Sequence, residues 1–120
     1  MRHRVAGRHL KRSTGHRRAL FRNLVTELFR HDQIRTTEAK AKAIQAQAEK
    51  LVSVAKRNDL AARRHVAEVL TDETVTKRLM DEVAPRFAGR PGGYTRLVHL
   101  GQRLGDGAPM VLLALVEKSS

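Results

Sequence analysis

The first carboxylate in this chain is Glu27. Ahead of it, MRHRVAGRHLKRSTGHRRALFRNLVT carries Arg2, Arg4, Arg8, Lys11, Arg12, Arg17, Arg18 and Arg22 and no acid at all. Arginine at that density, broken by glycine and without an apolar run before Leu20, cannot bury enough surface to fold alone. Setting aside an arm of about a dozen residues leaves roughly a hundred to build a single modest core. The head itself needs a polyanion to lie against, and a nucleic-acid backbone is the common partner that presents closely spaced negative charge over such a length.

Charge is unevenly spread. The formal net charge is +12 over 120 residues. Residues 1–35 hold ten Lys and Arg against two acids, a net of +8, and residues 36–120 hold fourteen against ten, a net of +4. Such asymmetry points to a nucleic acid or a membrane surface. The membrane is the weaker partner: no apolar stretch nears the roughly 18 residues of a spanning helix, and no hydrophobic segment follows Arg2 and Arg4 as a signal peptide requires. A mitochondrial transit peptide shares the Arg-rich, acid-free composition. Here, however, the run passes straight into the patterned segment Leu20–Phe29, which assigns it to the mature protein.

The chain has no cysteine, so disulfides and thiolate metal sites are excluded. Its length fits one domain, divided as an extended basic arm over residues 1–13 and a single globular domain over residues 14–118. Three Phe and one Tyr are all its aromatics, too few for a fold that reads single strands by stacking bases.

Ser13 or Thr14 caps a first helix, in which Leu20, Leu24 and Leu28 recur beside Phe21, Val25 and Phe29 as a broad apolar stripe. His31-Asp32-Gln33 ends it, and Ile34-Arg35-Thr36 is short and β-prone. Thr37 caps an alanine-rich second helix with Glu38 in its first turn, Ile44, Ala48, Leu51, Val52 and Ala55 inward, and Lys40, Lys42, Lys50 and Lys56 outward. Asn58 and Asp59 end it and start a third helix with Ala62, Val66, Val69 and Leu70 aligned. Thr71 or Asp72 caps a fourth, with Val75, Leu79, Met80 and Val83 inward and Pro85 near its end. RFAGRPGG then reads as a loop. Tyr94–Leu100 and Met110–Val116 form an antiparallel hairpin, closed by the turn through Gly105-Asp106-Gly107. Two strands alone are marginal, so the Ile34 segment supplies a third, and the nearly all-apolar last strand is central. The predicted fold is α+β: about four helices packed on a small mixed three-stranded sheet, with a basic N-terminal extension.

No catalytic constellation stands out. Asp72-Glu73 and Asp81-Glu82 are adjacent on helices and diverge, and GRPGG precedes a strand rather than the helix of a phosphate loop. His3, His9 and His16 match no metal-ligand spacing; imidazoles within an arginine arm bond to phosphates or stack on bases. Candidate RNA contacts are Arg2, His3, Arg4, Arg8, His9, Lys11, Arg12, Ser13, His16, Arg17, Arg18 and Arg22 in the arm and first helix. Arg35, Thr36, Thr37, Lys40 and Lys42 are candidates around the start of the second, then Arg90, Tyr94 and Arg96 around the two glycines, and Arg103 in the hairpin turn. The Gly92–Arg96 segment reads equally well as an ordinary loop-to-strand junction. No cofactor, metal or small-molecule substrate is expected.

Several segments together resemble one family, the bacterial large-subunit ribosomal protein L17: the MRH start, GRHLKRSTGHRRALFRNL, IRTTEAKAKAIQAQAEKLVSVAKRNDLAARR, MDEVAPRFAGRPGGYTR and LGDGAPMVLLALVE. They cover almost the whole chain in order. Leu104 departs from the pattern, standing where many relatives carry a basic residue before Gly-Asp. The resemblance implies a non-catalytic structural component of the bacterial, cytoplasmic ribosome, bound to large-subunit (23S) ribosomal RNA and to neighbouring ribosomal proteins, on the solvent side near the peptide exit tunnel. RNA recognition would be by shape, with little base readout. The rival readings are a free-standing nucleoid or other DNA- or RNA-binding protein and a small RNA-modifying enzyme.

Overall fold

A computed structural model describes residues 14–116. The expected arm, with Arg2, His3, Arg4, Arg8, His9, Lys11, Arg12 and Ser13, lies outside the described residues, as do the last four positions.

The element order begins with α1 (Thr14–His31), β1 (Gln33–Thr37), α2 (Glu38–Ala55) and α3 (Leu60–Val69). A fourth helical rod, α4, then runs as a regular stretch Glu73–Arg78, a π-helical stretch Leu79–Val83 and a closing turn Ala84–Arg86. Strands β2 (Thr95–Gln102) and β3 (Pro109–Leu115) complete the chain. The architecture is α+β as the pattern predicts. The sheet order is β1-β3-β2, with the apolar β3 in the middle. Both pairings are antiparallel, so the sheet is uniformly antiparallel and not mixed.

Caps decide where the helices start. The Thr37 Oγ1 accepts from the Lys40 N–H, the Asp59 carboxylate from the Ala62 N–H at 2.7 Å, and the Asp72 carboxylate from the Thr74 N–H at 2.8 Å. Each satisfies a donor that the first helical turn leaves without a partner. Asp72, and not Thr71, is thus the cap of α4. The π stretch has a cause in the sequence. In a regular helix the Pro85 ring would collide with the Asp81 carbonyl. Widening lets the Ala84 N–H reach the Leu79 carbonyl, five residues back, and the rod continues.

The core joins Val25, Leu28 and Phe29 of α1 to Ile44, Ala48, Leu51 and Val52 of α2, Val66 of α3, Val75, Leu79 and Val83 of α4, and Val111 and Leu113 of β3. In α1 the stripe sinks unevenly: Leu20, Phe21 and Leu24 are half-buried, while Val25, Leu28 and Phe29 are fully enclosed. The helix is therefore anchored by its C-terminal half, and its first turns stand clear of the body.

Candidate nucleic-acid interface

Helix α1 begins without an acid in its first turn. Carboxylates are favoured at that position, where the helix dipole is positive. Here Arg18 is exposed, Arg17 is half-buried and His16 is exposed, so the positive helix end and its cations add. Such an end suits a phosphate.

Arg22 is put to a different use from the one expected. Its Nε donates to the Val69 carbonyl at 3.0 Å, and a terminal nitrogen donates to the Glu68 carbonyl at 3.0 Å. Those carbonyls end α3 and have no partner within that helix. One turn on, the Thr26 hydroxyl donates to the Arg22 carbonyl at 2.7 Å and accepts the Thr71 N–H at 3.1 Å. Arg30 bonds to Glu27 and, at 2.6 Å, to Asp72. The second half of α1 is thereby fastened to the α3–α4 junction, which fixes the direction in which its first turns project.

Asp32 makes the turn into β1 at a φ of 70°. Its carboxylate meets Arg78 at 2.8 Å and Arg86 at 3.4 Å, while Arg78 also donates to the Phe29 carbonyl at 2.6 Å. Partial burial pulls the Asp32 carboxyl upward. The Arg78 hydrogen bond and the charges of Arg86 and Arg78 outweigh it, so the group titrates below its ordinary range. A carboxyl depressed on folding contributes stability above its unfolded pKa of about 3.9 and loses it as pH falls through the folded value. The melting temperature should therefore drop as pH is lowered from about 5 toward 2. Asp32→Asn should flatten part of that acid limb in thermal melts followed by circular dichroism; an unchanged limb would deny Asp32 this role.

The glycine loop is built from within. Lys56 Nζ donates to the Arg90 carbonyl at 2.5 Å and to the Tyr94 hydroxyl at 3.0 Å, and sits 5.0 Å from the Tyr94 ring centre. The hydrogen bond from Lys56 holds the Tyr94 phenol below its usual range. Arg90 Nε curls back onto the Gly92 and Gly93 carbonyls, each at 3.1 Å, and Gly93 takes a φ of 64°, which glycine adopts without strain. Tyr94 is only 2% exposed and packs against the Phe87 ring. Of the two readings of Gly92–Arg96, the burial of this ring fits the ordinary loop-to-strand junction: Tyr94 is a core residue that shapes the loop. Lys56, expected to look outward, is part of the same arrangement.

Other expected contacts divide similarly. Thr36 is buried and Thr37 is spent on capping. Lys42 pairs with Glu38 at 2.9 Å, and Arg103 with Asp106 at 2.5 Å across the hairpin turn. Lys40 is half-buried, whereas Arg35 and Arg96 are exposed on two strands that flank β3. The adjacent exposed cations Arg63 and Arg64 on α3, beside Lys77 of α4, are not among the contacts expected from sequence. The RR pair is visible in the sequence, but not its meeting with Lys77 across a groove. No helix among the described residues is long and apolar enough to cross a membrane.

Comparison with known proteins gives one consistent result. The family model for ribosomal protein L17 matches residues 20–116. The chain is 48% identical over 120 residues to a protein of Trichlorobacter lovleyi named large ribosomal subunit protein bL17, covering 100% of this chain and 97% of the relative. It is 48% identical over 118 residues to the protein of that name from Pelobacter propionicus, covering 98% and 93%. With that of Desulforamulus reducens it shares 55% over 104 residues, covering 87% and 93%.

Proposed function

The chain belongs to the ribosomal protein L17 family, and from that premise we propose that it is a structural, non-catalytic constituent of the large ribosomal subunit that binds large-subunit ribosomal RNA through its basic arm and first helix. The observation that carries this reading is the acid-free basic run ending on α1. Arg17 and Arg18 stand on a helix held rigidly by Val25, Leu28 and Phe29, in a first turn that contains no carboxylate. Arm cations from Arg2 to Arg12 extend the same charge along the backbone they meet. Arg forks match phosphate geometry, and shape recognition needs no aromatic platform. Membership of the family supports a seat in the bacterial ribosome, in the cytoplasm, on the solvent side near the peptide exit tunnel and against neighbouring ribosomal proteins.

Gradient sedimentation of a cell lysate tests this. The expected result is co-migration with the large subunit that survives a high-salt wash. Recovery only with chromosomal DNA, or only as free protein at the top of the gradient, would overturn it and favour a free-standing nucleic-acid-binding protein.

A further inference from the structure

The buried positions of the sheet, Thr36, Thr95, Val111, Leu113 and Leu115, all fall on the face that meets the helices. On the opposite face the register places Gln33–Ala114–Arg96 in one row, Arg35–Leu112–Val98 in the next and Thr37–Met110–Gly101 in the third. Ala114 is buried yet stands apart from the core cluster, so it is covered by its own neighbours on this face. No described element lies over these rows.

The composition of the sheet is unusual for this chain. Gln33–Thr37, Thr95–Gln102 and Pro109–Leu115 contain no Asp or Glu. Arg30, Arg78, Arg86 and Arg103 each have a carboxylate partner. Arg35 and Arg96 make no ion pair among the described residues and are exposed. Strand spacing of about 4.8 Å and a rise of about 3.4 Å per residue put their Cα atoms about 12 Å apart. Two distant segments thus place two arginines without an ion-pair partner on opposite borders of one surface.

We propose that this uncovered sheet face is a second RNA-binding surface, where Arg35 and Arg96 hold the backbone of a duplex segment whose wide, shallow minor groove lies on Leu112 and Val98. The proposal rests on the RNA-binding reading of the chain and adds a surface to it. Duplex RNA fits better than a single strand because the face has no aromatic side chain for a base to stack on. The aliphatic area offered is modest: Val98 is 39% exposed and Leu100, two residues on, 46%, while Leu112 and Met110 are half-buried. That is far less apolar surface than the core of a stable protein interface needs. A second copy docked face to face would set arginine against arginine, a repulsive arrangement.

Because the chain has no cysteine, Val98→Cys places a unique thiol on this face. The full-length variant, labelled there with benzophenone and reconstituted into large subunits, should give a covalent RNA adduct on irradiation. Leu60→Cys on exposed α3 reports incorporation and folding. An adduct to a ribosomal protein or to a second copy, or no adduct from particles that carry the labelled chain, would overturn the proposal. Independently, the full-length double variant Arg35→Gln/Arg96→Gln is titrated against a large-subunit ribosomal RNA transcript. Its log–log salt slope should fall by about 1.4 to 1.8 units, equivalent to about 10- to 30-fold in affinity near physiological salt. An unchanged slope with an unchanged thermal melt would also overturn it. Substitutions confined to the arm change their own share of the slope, so failure of the arm and failure of this face are told apart.

Discussion

Replacing Arg2, Arg4, Arg8, Lys11 and Arg12 together with glutamine should lower affinity for a large-subunit ribosomal RNA transcript by about 10³-fold near physiological salt. Each cation that neutralises a phosphate releases condensed counterions, and five lost contacts reduce the log–log salt slope by about 3.5 to 4.5 units. The effect should be nearly independent of sequence, because backbone contacts position a protein without reading bases. The thermal melt should stay where it is, since the core cluster among the described residues begins at Val25. Fluorescence anisotropy over a salt series, paired with a melt of the free protein, measures both. A slope that stays put would remove the arm from the interface; a melt that falls would mean the arm serves the fold as well.

Phe29→Ala should cost about 3–5 kcal/mol of folding stability. The ring is fully enclosed, and its removal leaves a cavity where α1, α2, α4 and the sheet converge. A domain of this size holds about 5–15 kcal/mol in total, so the melting temperature should fall by at least about 12 °C. RNA affinity should fall with it at temperatures where wild type is fully folded, because Arg17 and Arg18 act from the helix that Phe29 anchors. Phe29→Leu keeps most of the buried volume and should retain most of both. Denaturant unfolding gives the stability, and anisotropy gives the binding. A loss below about 1 kcal/mol would show that α1 is not integral to the core.

Much of the framework is local and was legible for that reason. Thr37 caps the helix it was expected to cap, and Asp59, expected with Asn58 to open the third helix, caps that one, because an N-cap needs only a short polar side chain within three residues of its donor. The inward residues of α2 and α4 follow from a 3.6-residue period, and β3, nearly all apolar, is the central strand that the pattern predicts, paired on both edges. Parallel or antiparallel pairing was not legible for β1, whose five residues carry no register signal of their own. Side-chain partners were legible least. Arg22 looks like its neighbours Arg17 and Arg18 in the sequence, yet it is Arg22 that faces the open end of α3. Tyr94 lies between two arginines in a glycine loop, and nothing local reveals that Lys56 and Phe87 close over it.

By itself the sequence determined the sign and asymmetry of the charge, the order of the elements and the family, since each is carried by residue types and short spacings that no folding can alter. Tertiary structure decided which cations are spent inside the fold and which remain available. Arg22, Arg30, Arg78, Arg86 and Arg103 are tied to carbonyls or carboxylates, while Arg35 and Arg96 are brought to one acid-free face. The reason is geometric: an ion pair or a shared sheet face depends on distances between residues tens of positions apart, and only the packed chain sets those distances.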